Sequence, residues 1–370
     1  MVFKGAGDLS AREIVERIES GGGSINASTG YERTVFEVRA MADGLETALE
    51  VISSLILHPV FDPDEIEREK DVVAQEIAEA FDTPDDHVFE MAQARAFDGQ
   101  ALGRPILGTV DALAPLDRPA LRAFREARYR PDRIVVAVSG AVDEARLLRL
   151  VEQYFGDAGP PSHAAFEPAR FTGGEAKLAR RIEQSNLVLL LPGLSHTDPL
   201  RPALRLGVEI LGGGMASRLF QTAREERGLA YAIDAWHESY LDCGVLGIYA
   251  GSAGDRAAEL ARLCGETVRA LADDGPTDRE MERSRAVARA GIFMADESPA
   301  TRAGRLASQT LIFGHPTSSD AMVRMIEAQD GPAVQAALQA CLESGLTATA
   351  VLGPRSGLSA GLLFDRALTG

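Results

Sequence analysis

Apolar and polar positions along the chain switch repeatedly between helical and strand-like spacing. Ser10 and Glu13 stand as S-x-x-E ahead of Ile14, Val15 and Ile18. In that arrangement hydroxyl and carboxylate each satisfy a free backbone N–H at a helix start, and the glycines at 21–23 end the helix. SINAS (24–28) and RTVFEVRAM (33–41) read as strands. Leu45, Ala48, Leu49, Ile52, Leu55 and Ile56 recur at helical spacing, and a longer helix starts at Asp62-Pro63 and runs to about Phe81, stopping before Thr83-Pro84. DRIVVAVSG (132–140) reads as a strand and DEARLLRLVEQYF (143–155) as the helix after it. Residues 158–178, rich in Pro, Gly, Ser and Ala and without periodicity, read as an interdomain linker. The expected domains are 1–157 and 179–370.

Beyond the linker the pattern begins again. PDEIEREKDVVAQE, from Pro63, lies over DREMERSRAVARAG, from Asp278, at an offset of 215 residues, so that Glu65, Ile66, Glu67, Arg68 and Val72 fall on Glu280, Met281, Glu282, Arg283 and Val287. Thr83-Pro84 falls on Ser298-Pro299 at the same offset, and SINAS falls on AIDAW (232–236) at an offset of 208. The halves read as two copies of one unit. At that second offset Met1 lies over Glu209, deep inside the second copy, and the strand RRIEQSNLVLLLPGL (180–194) and the helix beginning near Asp198-Pro199 have no counterpart in the first. An unpaired sheet edge and apolar face would follow, so the sequence reads as an N-terminally shortened form of a longer protein.

Within the helix from Pro63, Ile66, Val73, Ile77 and Ala80 define the expected buried stripe. Glu69 and Glu76 fall along one edge of it, seven residues apart, whereas Glu67 and Glu79 point elsewhere as ordinary solvated charges. Edge carboxylates commonly snorkel to water or pair with arginine. In the second copy, however, Glu69 and Glu76 are replaced by Ser284 and Gly291, so the inward acids belong to one copy only.

Composition narrows the class. With 370 residues, 45% hydrophobic and 25% charged, the chain can bury two cores. It has no apolar run of membrane-spanning length; no signal-peptide pattern is visible either, which means little for a chain that reads as shortened at its N-terminus. Thirty-eight basic against 55 acidic residues give a net charge of −17, which argues against nucleic acid and anionic lipid and suits basic partners, and which equally serves solubility. Cys243, Cys264 and Cys341 form neither a disulfide framework nor a metal pattern, which fits a reducing cytoplasm. The six histidines, at 58, 87, 163, 196, 237 and 315, make no H-x-x-E-H or H-x-x-x-H pair and read as surface or structural residues. LGGGMASRLF (211–220) follows a helix and lacks G-K-[S/T], so it reads as a glycine hinge and not a phosphate loop.

Five ordered blocks carry a specific resemblance: GGGSINASTGYERTVFEV, EIEREKDVVAQEI, LGRPILGTVDAL, YRPDRIVVAVSGAVD and GGGMASRLFQTAREERGLAYAI. Together with the opening MVFKG they resemble the pitrilysin and mitochondrial-processing-peptidase family of inverted zinc metallopeptidases, over nearly the whole chain. The resemblance implies an α+β fold of two homologous repeats, each a mostly antiparallel mixed sheet packed with helices into a half-clamshell. The implied activity is zinc-dependent endopeptidase action on peptides or unfolded segments. Glu76 matches the family's third zinc ligand and Glu69 the acid that supports the site. The family's H-x-x-E-H, which supplies two histidine ligands and the general base, would end at the residue before Met1, so the chain as it stands is expected to be inactive. Asn26 and Ala27 match the edge strand that takes an extended peptide, although Ser28 stands where an aromatic is usual. Arg224 and Tyr231 match the second-half pair that holds the substrate carbonyl and oxyanion. Read without the family, they are a helix-end arginine and a strand-face tyrosine. The implied partners are a peptide substrate, with basic ones favoured, and a homodimeric or related heterodimeric subunit. The alternative is a non-catalytic family member serving as scaffold or partner of an active peptidase. The DNA preceding the Met1 codon, read in frame, is expected to encode a strand, a helix and H-x-x-E-H; a stop codon there, or a motif without both histidines, would favour the scaffold.

Overall fold

The computed structural model describes residues 1–156, 159 and 167–369. Most of the first half of the predicted linker, 158 and 160–166, therefore lies outside the described residues. The chain begins with two short paired strands, β1 (Gly5–Ala6) and β2 (Leu9–Ser10), joined through Gly7, whose φ of 57° is the left-handed conformation that glycine adopts without strain. Helix α1 (Ala11–Glu19) starts in the capping box read from sequence: the Glu13 N–H donates to the Ser10 hydroxyl, and the Ser10 N–H donates to the Glu13 carboxylate at 2.9 Å. The strands β3 (Ser24–Thr29) and β4 (Thr34–Arg39) form a hairpin. Five helices follow in the first half: α2 (Leu45–Leu57), α3 (Pro63–Asp82), α4 (Pro84–Ala96), α5 (Val110–Leu113) and α6 (Arg118–Arg128), and α7 (Glu144–Phe155) completes it.

In the second half β5 (Gly174–Ala179) and β6 (Gln184–Gly193) lead to α8 (Arg201–Gly212), so residues 174–178 at the end of the predicted linker are strand. A π-helical turn, Phe220–Glu226, precedes β7 (Ala232–Ser239) and β8 (Gly244–Ala253). Then come α9 (Ala257–Asp274), α10 (Asp278–Ala295), α11 (Pro299–Phe313), α12 (Ser319–Glu327), α13 (Gly331–Leu342), β9 (Ala348–Gly353) and α14 (Ala360–Thr369). The architecture is the expected α+β. Among the described residues no helix is long and apolar enough to cross a membrane.

The chain divides into two compact units that exchange a helix. One comprises residues 1–78, 106–166 and 295–317; the other comprises 79–105, 167–294 and 318–370. Thus α4 belongs with the second-half sheet, and α11, its counterpart at the offset of 215, belongs with the first-half elements.

The second unit is built on a five-stranded sheet of order β5-β9-β6-β8-β7, antiparallel except where β5 pairs with β9. Side chains alternate across a strand. Leu187, Leu189 and Leu191 join a core with Leu204, Ile210, Leu260, Val268, Leu338 and Phe364 from the helices, while Val188 and Leu190 are buried on the opposite face, where α4 packs through Val88, Ala92 and Ala96. Burial on both faces explains why this strand reads as an unbroken apolar run.

Among the described residues the first unit buries fewer side chains: Ala6, Ile14, Ile18, Val51 and Leu55 form one cluster, with Phe3, Ile25 and Phe36 against it, and Leu49, Ile56, Leu57, Phe61, Ile66 and Leu150 are also buried. Its paired strands are two two-stranded ladders. The predicted strand at 132–140 is not paired: residues 134–139 are half-buried and join no ladder among the described residues, because no neighbouring strand of the unit lies alongside to accept their N–H and C=O groups. The same lack of cover shows in α3, which buries only Ile66 and leaves Val72 44% exposed, and in α11, which has no buried residue where α4 has four.

In the second unit Arg218 fastens the loop after α8 to the start of α10. Its Nε and one terminal nitrogen donate to the two Glu280 oxygens at 2.7 and 2.8 Å, and the Thr277 N–H and hydroxyl donate to the same carboxylate. The Arg218 hydrogen bonds, foremost, hold the Glu280 carboxyl well below its ordinary range, at about 2. A carboxyl depressed in the folded state contributes stability above its ordinary value of 4.5 that is lost as pH falls through that value toward 2. The gap in urea midpoint between the parent and Arg218→Ala should therefore be widest at pH 6 and narrow progressively toward pH 2.5; an equal gap at both values would exclude this pair as an acid-labile tie.

Candidate functional site

The first group of predicted site residues stands on β3 and α3. β3 pairs on one side with β4, Asn26 opposite Glu37 and Ala27 opposite Phe36, and its other edge has no strand partner among the described residues. The Ala27 N–H is not part of the ladder. It donates to the Oδ1 of Asn26 at 2.9 Å, so it lies on the open edge, where a local side chain satisfies it in place of a neighbouring strand.

Glu69 and Glu76 lie on one side of α3, two turns apart, but in different surroundings. Glu69 is 20% exposed, accepts from Lys4 Nζ at 2.9 Å and faces the Met1 ammonium at 3.6 Å. The Glu69 hydrogen bond, and then its charge, raise the Lys4 ammonium above its ordinary range. Glu76 is exposed and makes no hydrogen bond or ion pair among the described residues. The inward orientation expected for both acids thus holds for Glu69 and not for Glu76. The reason is the apolar stripe itself: Val73 and Ile77 are only half-buried, so no packed surface lies beside the second carboxylate. Lys4 is the partner the sequence reading missed. Its signal was a lone cation in the apolar opening MVFKG, whose proximity to Glu69 only the fold creates.

The second group is held by the segment after the π-helical turn. Ala223 is fully buried and its carbonyl accepts from Leu229 N at 2.7 Å and from Ala230 N at 3.4 Å, around Gly228 with φ 57°. Leu229 and Ala230 are buried, and Tyr231 N donates to the Gly251 carbonyl at 2.8 Å. With these positions anchored, the Arg224 and Tyr231 side chains lie outward: both are exposed, Tyr231 at 66%. The Arg224 guanidinium lies over the Phe220 ring, 4.8 Å from its centroid. The π turn replaces the helix-end geometry that the sequence suggested for Arg224; π turns occur often at functional sites. An open cleft of about 420 Å³, lined by Arg218, Gln221, Thr222, Thr267, Glu280 and Arg283, lies in this unit.

Burial shifts the proton affinity of one histidine and two cysteines. His237 on β7 is half-buried, with Nε2 against the Leu194 backbone, and desolvation pushes it down to about 4. Burial pushes the Cys264 and Cys341 thiols up to about 12, so they stay protonated and inert. Among the described residues no three of His, Cys, Asp and Glu stand together in a group that could hold a metal ion. These residues by themselves do not fit zinc, which needs at least three protein donors.

Two family models match the chain: Insulinase (Peptidase family M16) over residues 1–110 and Peptidase M16 inactive domain over residues 115–287. An uncharacterized zinc protease of Rickettsia bellii is 32% identical over 358 residues, covering 96% of this chain and 86% of its own length. An uncharacterized zinc protease of Bacillus subtilis is 33% identical over 329 residues, covering 89% of this chain and 80% of its own. In fold the chain is similar to a crystal structure of a peptidase M16 inactive domain from Pseudomonas fluorescens, with a TM-score of 0.88 at 21% identity over 96% of this chain and 86% of that one. It is also similar to a protease from Helicobacter pylori, with a TM-score of 0.87 at 18% identity over 95% of this chain and 87% of that one. Identity of 32% and 33% over most of the chain to two uncharacterized zinc proteases, family models over both halves and a matching fold lead to one conclusion: this chain belongs to the M16 family, the pitrilysin-like metallopeptidases.

Proposed function

We propose that this chain is the peptide-holding body of a zinc-dependent endopeptidase that acts on extended peptides or unfolded segments. The observation that carries the reading is the open edge of β3, where the Ala27 N–H is off the ladder and satisfied only by its neighbour's side chain. An incoming strand can take that N–H and displace the Asn26 amide, gaining backbone hydrogen bonds that do not depend on the substrate's side chains. The net charge of −17 favours basic peptides. Arg224 and Tyr231, both exposed, are the donors assigned to the substrate carbonyl and oxyanion. Glu76 is the carboxylate assigned as a metal ligand, and Glu69, paired with Lys4, stands on the same side of α3. Pairing with a second copy or a related subunit belongs to the same proposal.

A second reading, a non-catalytic subunit, rests on a specific observation: the sequence has no H-x-x-E-H, and the described residues have no three-donor group. The readings part in a direct experiment. The 370-residue chain should take up zinc only weakly and cleave nothing. A form carrying a strand, a helix and H-x-x-E-H joined directly ahead of Met1 should hold one zinc per chain and cleave a basic fluorogenic peptide. In that form Glu76→Gln should lose both metal and activity, whereas Arg224→Ala should keep its zinc and lose roughly 10²- to 10³-fold in turnover, the usual loss for one oxyanion donor. Zinc bound without cleavage would favour the non-catalytic subunit; Glu76→Gln retaining both would remove the ligand assignment.

The edge strand has its own test. Ala27→Pro deletes the off-ladder N–H, and proline is tolerated where a strand's N–H faces solvent. Melting temperature should change little while the affinity of the 370-residue chain for a labelled basic peptide falls. Unchanged affinity in a folded variant would remove β3 as the docking edge.

A further inference from the structure

We propose that Phe220 is a positioning residue for Arg224, holding its guanidinium by the ring face so that all of its N–H donors stay open to a bound peptide. The inference rests on the reading of Arg224 as a substrate contact and adds how the fold prepares that contact.

Three observations carry it. Arg224 is exposed and makes no hydrogen bond or ion pair with any described residue, although Glu225 and Glu226 follow it directly. Its Cζ lies 4.8 Å from the Phe220 centroid, within the range in which a ring's negative face attracts a cation. The two residues are four apart within the π-helical turn Phe220–Glu226, a spacing of about one turn that puts both on the same face. The platform is itself fixed. Phe220 packs against the buried core of its unit, and the turn is closed by the Ala223 carbonyl, which accepts from both Leu229 and Ala230.

A carboxylate partner would order the guanidinium equally well, but it would neutralise the charge and occupy two of the donors. A ring face orders the group and uses neither. The surface around the turn supplies acids in sequence and leaves them unpaired with this arginine, so the packing selects the ring.

The test uses the 370-residue chain with 15N-labelled arginine. The Arg224 Nε–Hε resonance, identified by its loss in Arg224→Lys, should be shifted upfield by the ring and show restricted motion. Phe220→Leu keeps an apolar packing group but has no ring face, so the resonance should move to the position of a free arginine and become mobile; Phe220→Trp should restore both properties. Affinity for a fluorescein-labelled basic peptide should fall about two- to fivefold in Phe220→Leu, the weight of one exposed cation–π contact, and return in Phe220→Trp. A resonance unmoved by Phe220→Leu would overturn the proposal. Should Phe220→Leu lower affinity and Phe220→Trp fail to restore it while the chain remains folded, the effect is packing and the proposal also falls. Arg224→Ala tests the underlying reading separately: unchanged peptide affinity there would remove Arg224 as a substrate contact, whatever the resonance does.

Discussion

The two-sided burial of β6 is the constraint on which the second unit depends. Residues 187–191 are all essentially inaccessible to water, so the strand can exist only with a layer on each face. The helices α8, α9, α13 and α14 cover one face and α4 the other. Fully burying each such side chain contributes on the order of 1.5 to 3 kcal/mol, which concentrates driving force in this stretch. It also explains the helix exchange: α4 follows α3 in sequence but takes its place with the sheet that offers an apolar face.

The first unit shows the same building plan without that cover. α11 corresponds to α4, and the segment 134–139 has the composition of a buried strand, yet neither gains a full set of partners among the described residues. α3 is correspondingly solvated along most of its length. Glu69 is half-buried where Lys4 packs over it, and Glu76 is open to water because nothing does. The difference between two carboxylates on one side of one helix is thus a difference in what packs beside them.

Arg224 and Tyr231 reach the surface by the opposite route. Their neighbours in sequence, Ala223, Leu229 and Ala230, are buried and hydrogen-bonded to one another. A rigid buried framework with outward-turned polar ends suits recognition, because the framework and not the ligand bears the ordering cost.

By itself the sequence determined the helix starts, the internal repeat, the α+β class and the family. These follow from local chemistry and spacing: Ser10 with Glu13 makes its capping box wherever the helix lies, and the offset of 215 between the Pro63 and Asp278 helices is written in the residues. It also singled out Glu69, Glu76, Arg224, Tyr231, Asn26 and Ala27 as candidates. What it could not determine was surroundings. That Glu69 meets Lys4 across 65 residues, that Glu76 stays in water, that 134–139 finds no ladder, and that Arg224 rests on Phe220 in a π turn all depend on which surfaces come together. Periodicity fixes which face of an element is apolar; only the tertiary structure decides whether another surface arrives to cover it.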